Sequence, residues 1–222
     1  MRIGLIADIH SNAVALEAVL KNMGNVDAIV CAGDVVGYNP YPNETIELLK
    51  KHDVQCVMGD LDKAVVTGDT EWFNGITADT IRWTAKHLKK ENMEYLRHLP
   101  DHIDLDGLTV YHGHPGSMKD LAFEYEPEKL CSIFDSLDHH RVFAFGHTHT
   151  PVIKECGDKT VLNPGSVGQP RDGNSEASYA IWDTEKHTFE IRRVPYDLKK
   201  VQDKILAEGL PELMAERLSY GK

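Results

Sequence analysis

Short apolar runs alternate with amphipathic segments through the first part of the chain. The apolar runs predict buried strands over Ile3–Ala7, Ala28–Cys31 and Val54–Met58. Between them, apolar residues at helical spacing predict helices over Ala13–Asn22 and Tyr41–His52. This β-α-β-α-β order predicts parallel strands that are joined by helical crossovers.

The second part of the chain is richer in short strands. Asp106-Gly107 separates His102–Leu105 from Leu108–Tyr111, which is the signal of a β-hairpin. The remaining predicted strands are Val142–Phe145, Val152–Cys156, Thr160–Leu162, Ser178–Asp183 and Phe189–Val194, and the remaining predicted helices are a pair within Thr77–Leu99 that Thr77 or Asp79 would cap, Leu198–Glu208 and Glu212–Leu218. A parallel part followed by a strand-rich part predicts an α/β fold of two packed β-sheets flanked by helices. We expect one domain over residues 1–222, with the C-terminal helices (197–219) as an appendage.

Composition narrows the classes of function. The chain has 222 residues, is 41% hydrophobic and carries a formal net charge of −11. Such a surface repels polyanions and anionic lipid, so we expect no nucleic acid polymer and no membrane as a partner. An anionic substrate would then need a local positive centre, for which bound metal is the obvious source. The sequence leaves a homo-oligomer open.

The four cysteines indicate neither a zinc knuckle nor a disulfide framework. Cys31, Cys56, Cys131 and Cys156 are far apart, and no CxxC spacing occurs. The opening MRIGLIADIH lacks the layout of a signal peptide, and no apolar stretch is long enough to span a bilayer. These features predict a cytoplasmic location.

Acidic and imidazole side chains gather where predicted strands end. The segments are ADIHSN with Asp8 and His10, CAGDVVGYNP with Asp34, VMGDLDKAV with Asp60, VYHGHP with His112 and His114, and FAFGHTH with His147 and His149. Parallel strands of one sheet would place these ends along one edge. Carboxylate oxygen and imidazole nitrogen are ligands for zinc, iron, manganese or nickel, and so many of them suit two ions that share a carboxylate.

Each residue taken alone has an ordinary structural explanation. An aspartate after a strand is usually a turn residue or helix cap, and a single DxH pair has a chance of roughly one in ten of binding metal. The ordered occurrence of the whole set decides for a metal site.

The set resembles the calcineurin-like metallophosphoesterase superfamily. DIH, GDVVG, GDLD, YHGH and GHTH match its motifs in order, and NPGSVGQPRDG together with GLPELMAERL is similar to small prokaryotic members of the phosphodiesterase and diadenosine-tetraphosphatase type. The resemblance implies an α/β/β/α sandwich and a phosphoester hydrolase with two divalent ions, Mn, Fe, Ni or Zn. A water that bridges the ions would attack phosphorus.

The resemblance also implies roles for individual residues. Asp8, His10 and His149 would bind the first ion, Asp34 would bridge, and Asp60, His112 and His147 would bind the second. Catalysis would then centre on Asp34, Asp60 and His112. The substrate would be a small, nucleotide-like phosphoester.

The third motif departs from the family pattern GNHD. Asp60 stands where the family has asparagine, and Leu61 where many relatives have a histidine that assists the leaving group. The added charge predicts a preference for singly charged diesters over doubly charged monoesters. Two other functions stay open: a metal-binding regulatory protein with low turnover, and a protein phosphatase.

Several further residues have two interpretations each. Asn12 could bind a phosphate oxygen or cap the Ala13 helix, and Arg171 could clamp phosphate or form a surface ion pair. Asp62 could orient a neighbour or cap a helix that begins near Lys63. His114 is expected in a solvent-facing loop.

Four aromatic residues are predicted near the mouth of the site, where they could stack on a nucleobase or pack in a lid or dimer contact. They are Tyr38, Tyr41, Trp72 and Phe73. The polar Thr67–Gly75 segment that contains two of them is predicted to form a flap.

Overall fold

A computed structural model of the chain describes residues 1–115, 117, 129–135 and 141–222. The first sheet contains β1 (Arg2–Ile6), β2 (Ala28–Cys31), β3 (Gln55–Cys56), β9 (Ala177–Asp183) and β10 (Thr188–Val194), in the order β10-β9-β1-β2-β3. The first three of these strands are parallel, as the β-α-β-α-β pattern predicts, while β9 and β10 extend the sheet in antiparallel fashion.

A second sheet packs against the first. It contains β4 (His102–Leu105), β5 (Leu108–Tyr111), β6 (Val142–Ala144), β7 (Val152–Cys156) and β8 (Lys159–Asn163), in the order β4-β5-β6-β8-β7. Here β5, β6 and β8 are parallel, and the hairpin β4–β5 forms at Asp106-Gly107 as predicted. The second sheet therefore has antiparallel strands at both edges, whereas the first has them at one edge only and ends at the other with the parallel strand β3.

Alternation along the strands separates two layers of core. Ile3, Leu5 and Ala7 face the second sheet, where Val110 and Ala144 are among the residues that meet them. Ile6, between them in sequence, faces the opposite way into the helical layer. A Cβ at Gly4 would meet the end of the Met23 side chain, so glycine leaves room for that side chain between α1 and the sheet.

Helices cover both outer faces. They are α1 (Ala13–Met23), α2 (Pro42–Lys51), α3 (Asp60–Thr67), α4 (Gly75–His87), α5 (Lys90–Arg97), α6 (Lys129–Asp135), α7 (Leu198–Ala207) and α8 (Glu212–Tyr220). Leu130 of α6 packs with Phe143 and Val161 of the second sheet, and the other helices lie on the first. The predicted two-sheet α/β fold flanked by helices is confirmed. Among the described helices, none has the length and apolarity that a bilayer span needs.

Two helix starts differ from the prediction. Asn74 caps α4 by accepting the N–H of Thr77 at 3.0 Å, so neither Thr77 nor Asp79 is the cap. Helix α3 begins at Asp60 and not near Lys63, because β3 is only a two-residue strand and the chain turns at once. One predicted ligand therefore sits in the first turn of a helix.

The prediction about cysteines was wrong in one respect. Cys131 of α6 and Cys156 of β7 form a disulfide, with a Cα–Cα distance of 5.4 Å, although 25 residues separate them. Spacing in sequence could not show this pairing, since the fold brings the two together. Cys31 and Cys56 are buried and free, as expected. The cytoplasmic location stays a prediction, and disulfides are uncommon in reducing compartments.

Candidate metal centre

The backbone is left-handed at five of the seven predicted ligands. The φ angles are 52° at Asp8, 47° at His10, 52° at Asp34, 68° at His147 and 59° at His149. Non-glycine residues adopt this region uncommonly, and such positions cluster at functional sites. Because β6 ends at Ala144, the strand does not continue through GHTH, and both histidines turn toward the same site.

The ligand atoms fall into two groups. The inner group is Asp8, His10, Asp34 and His149, and the outer group is Asp60, His112 and His147. Within each group, one ligand atom per residue lies within 4.8 Å of all the others. The residues come from both sheets, so the site lies where two sheet edges meet and not along one edge as the sequence suggested.

The inner histidines point nitrogen lone pairs at each other. Nδ1 of His10 lies 3.3 Å from the Val36 carbonyl oxygen, and Nδ1 of His149 lies 2.5 Å from that of Gln169. A carbonyl only accepts, so each Nδ1 carries the hydrogen and each Nε2 is an acceptor. The two Nε2 atoms are nevertheless 2.9 Å apart. Two acceptors at that distance repel unless a cation lies beside them.

The outer group has the same character but is less enclosed. Nδ1 of His112 lies 2.8 Å from the Ala32 carbonyl, so its Nε2 faces the site, 3.2 Å from Nδ1 of His147 and 3.3 Å from Oδ1 of Asp60. His147 is 9% exposed, whereas the inner ligands are at most 2% exposed. The outer group therefore forms the wall of the site that is nearer to solvent.

Asp34 lies between the groups. Its Oδ2 is 3.5 Å from Nε2 of His10, and its Oδ1 is 3.6 Å from Nε2 of His112. The backbone N–H of Leu61 donates to Oδ1 at 3.0 Å. A Cβ at Gly59 would collide with both the carboxylate and the backbone of Asp34, so this position requires glycine. The carboxylate is thus fixed where it can serve both groups.

Burial disfavours the charged form of the carboxylates in the site. It raises the pKa of Asp8 to about 7 and raises that of Asp34 well above its usual range, with only partial relief from His112. Burial acts the same way on Asp60, but the close approach and charge of His112 outweigh it and hold this pKa below the usual value. Three buried carboxylates so close together call for compensating positive charge.

The histidines divide according to their neighbours. Burial and the positive charge of Arg171 lower the pKa of His10 and His149 well below the ordinary value, so both are neutral. Burial and His112 lower the pKa of His147 to about 4. Burial also lowers the pKa of His112, but the charges of Asp34 and Asp60 raise it far more. Neutral imidazoles with inward lone pairs are the form that binds metal.

The donor set fits divalent cations. Buried atoms without a hydrogen bond among the described residues include Oδ2 of Asp8, Oδ1 of Asp60 and Nε2 of His147. Orphaned buried acceptors are costly in a native protein, and cations at the site would satisfy the two carboxylate oxygens. Oxygen and imidazole ligands together suit zinc, manganese, iron or nickel.

Backbone carbonyls and buried polar side chains hold these ligands in place. Asn39 donates to the His10 carbonyl at 2.9 Å, and Asn163 donates to the Gly146 carbonyl at 2.7 Å. Ser166 donates to the Asp8 carbonyl at 2.7 Å. The sequence analysis missed Asn39 and Asn163, although each precedes a proline, which is a turn signal.

Two residues with open interpretations have structural roles. Asn12 is fully buried, and its amide accepts from Ala15 N–H at 3.1 Å and donates to the Gly168 carbonyl at 3.1 Å. It therefore caps α1 and has no surface toward a substrate. Asp62 accepts the N–H groups of Val35, Val36 and Gly59, so it ties the loop after β2 to the start of α3.

Arg171 and the predicted aromatics occupy different positions around the centre. Arg171 lines a cavity of about 190 Å³ together with Tyr38 and ligands of both groups. Trp72 and Phe73 also line that cavity. Tyr41 instead lines a separate groove with Lys200, so its predicted place at the mouth was wrong. Tyr41 is the residue before α2, and the start of this helix places it away from the metal centre.

A larger cavity of about 610 Å³ also reaches the outer group. His114 is half-buried and lines it, as do Asp60 and His112. The predicted solvent-facing loop therefore borders the site.

Comparison with known proteins places the chain among phosphoesterases. Residues 1–187 match the model of the calcineurin-like phosphoesterase superfamily domain. The uncharacterized protein MJ0912 of Methanocaldococcus jannaschii is 38% identical over 99% of this chain and 98% of its own length. A metallophosphoesterase structure from Sphaerobacter thermophilus aligns with a TM-score of 0.89 at 32% identity, covering 100% of both chains. Phosphodiesterase YfcE of Escherichia coli is 34% identical over 83 residues, which are 37% of this chain and 38% of YfcE.

Proposed function

This chain belongs to the calcineurin-like phosphoesterase superfamily, and we propose that it is a two-metal hydrolase of small, nucleotide-like phosphodiesters. Asp8, His10 and His149 would hold one divalent ion, and Asp34 would be shared with a second. Asp60, His112 and His147 would hold that second ion. When bound, such a pair neutralises charge on the phosphate and lowers the pKa of water so that it can attack phosphorus.

The contact that carries this proposal is the pair of inner histidines. Their Nε2 atoms face each other at 2.9 Å as acceptors, with buried carboxylates around them. Bound cations would satisfy both the facing lone pairs and the carboxylate charge, which supports the proposal. Backbone hydrogen bonds hold five of the seven side chains in place before any ligand arrives, namely those of Asp8, His10, Asp34, His112 and His149.

The residues at positions 60 and 61 favour a diester. Asp60 adds a third carboxylate where the family pattern has asparagine, and this extra charge opposes a doubly charged monoester more than a singly charged diester. Leu61 is 3% exposed and apolar, so its side chain has no proton for a leaving group. The departing alcohol must then be a good leaving group or take its proton from solvent.

Arg171 supplies an independent positive charge for the substrate. None of the described carboxylates lies within ion-pair distance of it, and its Nε is buried without a hydrogen bond. Its remaining contacts are long, 3.4 Å to both Tyr38 Oη and Gln169 Oε1. A guanidinium that has no carboxylate partner and lies beside a metal centre is suited to bind an oxyanion of the substrate. Part of this chain is similar to YfcE, which is named a phosphodiesterase, and this similarity supports a phosphodiester as the class of substrate.

The test is a comparison of two chromogenic esters with manganese-loaded protein. We expect a higher kcat/KM for bis-p-nitrophenyl phosphate than for p-nitrophenyl phosphate. The Asp60→Asn variant should move the ratio toward the monoester, because it removes one negative charge. A strong monoester preference in the wild type would contradict the diester assignment. Metal binding without turnover of either ester would favour the regulatory alternative.

A further inference from the structure

Two cavities meet at the outer group and share one aromatic pair in their walls. The cavities of about 190 Å³ and about 610 Å³ share three lining residues, Asp60, Trp72 and Phe73. The Trp72 and Phe73 rings lie 4.8 Å apart, centroid to centroid. A phosphate at the metal centre would therefore border two cavities, and each could take one of its substituents.

The small cavity suits a compact anion. Its volume is below the range of about 300–1,000 Å³ that is typical of pockets for drug-sized molecules. Arg171 lines it without a carboxylate partner among the described residues, and its guanidinium lies 6.0 Å from the centre of the Tyr38 ring. Arg217 of α8 lies near Arg171. Burial is the largest cause that lowers the pKa of Arg217, and the positive charge of Arg171 is the next. Arg171 and Arg217 place positive charge on this side of the centre, and the carboxylates that line the cavity, Asp34 and Asp60, are proposed metal ligands.

The large cavity differs from the small one in its size and in the residues that line it. Its volume falls within the range for pockets that enclose a drug-sized group. Lys63 is the fixed positive charge on its wall among the described residues, and three carboxylates line it as well, Asp60, Asp69 and Asp101. Trp72 is 43% exposed and offers an aromatic surface there. The wall favours a bulky aromatic group over a second anion.

Resting on the proposed function, we propose that the substrate has two unlike arms on one phosphate. A compact oxyanion, such as a second phosphate or a sulfonate, occupies the small cavity beside Arg171. An aromatic or heterocyclic group occupies the large cavity beside Trp72. Arg171 and Trp72 are then the residues that determine specificity, and the Trp72–Phe73 pair borders both arms.

The anionic arm is tested with two synthetic diesters, ethyl p-nitrophenyl phosphate and 2-sulfoethyl p-nitrophenyl phosphate. In both, water adds to phosphorus, the P–O bond to the aromatic arm breaks and p-nitrophenolate leaves. We expect wild-type protein with manganese to favour the sulfoethyl ester by about 10-fold or more in kcat/KM, the effect of one charge-assisted hydrogen bond. Arg171→Met should bring the ratio near one, Arg171→Lys should restore part of it, and Arg97→Met, at an exposed helix position, should leave it unchanged.

The aromatic arm is tested with two competitive inhibitors of equal charge and similar size, phenylphosphonate and cyclohexylphosphonate. Wild-type protein should bind the phenyl compound about 3- to 10-fold more tightly, and Trp72→Leu should abolish that preference. Diester turnover with both ratios near one in the wild type would overturn the two-arm assignment and leave the proposed function intact. Two bound ions with no diester turnover would overturn the proposed function and, with it, this inference.

Discussion

The inner and outer ligand groups have similar chemistry but different support. In the inner group, both histidines have Nδ1 fixed by a backbone carbonyl, and all four residues are at most 2% exposed. In the outer group, only His112 is fixed in this way. His147 makes its ring contact with His112, and its Nε2 has no hydrogen bond among the described residues.

This difference separates two tasks. A group that is held by backbone carbonyls and closed to solvent is preorganised, so it should bind its ion tightly and release it slowly. A group that borders two cavities can exchange ligands and meet the substrate. We therefore expect the inner ion to support structure and the outer ion to be the more labile of the two.

The largest effect should follow from removing the carboxylate that both groups share. Asp34→Asn should lower kcat/KM by about 10³-fold or more, because metal-ion stabilisation of the transition state is worth several kcal/mol. Asp53→Asn is the matched control, since Asp53 has the same φ of 52° but lies outside both ligand groups. Near-normal kinetics in Asp34→Asn would show that the groups do not depend on a common ligand.

A smaller effect should follow from moving that carboxylate without removing it. Gly59→Ala would place a methyl group against Asp34 and should lower kcat/KM by about 10²-fold, the cost of a displacement of about 1 Å. Gly75→Ala meets no atom within 4 Å and is the control. Equal activity of the two variants would mean that the position of Asp34 is not critical.

The comparison of the groups itself is tested by removing one histidine from each. By elemental analysis, His147→Ala should retain about one ion per chain, whereas His149→Ala should retain less. Loss of a hydrogen bond that orients a metal ligand typically weakens metal binding about 10- to 100-fold. Loss of the ligand itself should weaken it at least as much. The reverse order of retention would refute the assignment of the tighter site to the inner group.

The smallest effect on activity should come from the disulfide. Replacing both Cys131 and Cys156 by serine should destabilise the fold by about 2–4 kcal/mol. The change in kcat/KM should stay below about threefold, because the disulfide links α6 to β7 on the outer face of the second sheet. A thermal unfolding curve and a kinetic assay of the same preparation measure the two quantities. A large loss of activity would show that the second sheet controls the outer group.

The fold class and the candidate residues of the site could be predicted from the sequence because both depend on local signals. Alternating apolar runs marked the strands, and acidic and imidazole residues followed them directly. The sequence could not show that His112 and His147 come from a different sheet than Asp8 and Asp34, since strand order is set by long-range pairing. Nor could it identify the carbonyls of Val36, Ala32 and Gln169 as partners, because every residue carries a carbonyl.

The residues that were placed wrongly share a physical cause. Tyr41 was expected at the mouth together with Tyr38, but it is the residue before α2, and the start of this helix places it in another groove. Cys131 and Cys156 were judged by their separation, whereas packing of α6 on the second sheet brings them together. In both cases tertiary packing decided the outcome, and proximity in sequence was a poor guide.

The most direct test of the central claim is anomalous X-ray scattering from crystals that are equilibrated with manganese. Two peaks of comparable height should appear about 3.5–4 Å apart, one beside Nε2 of His10 and His149 and one among the outer ligands. Asp34 should contact both. A single peak, or peaks away from these side chains, would contradict a two-metal centre.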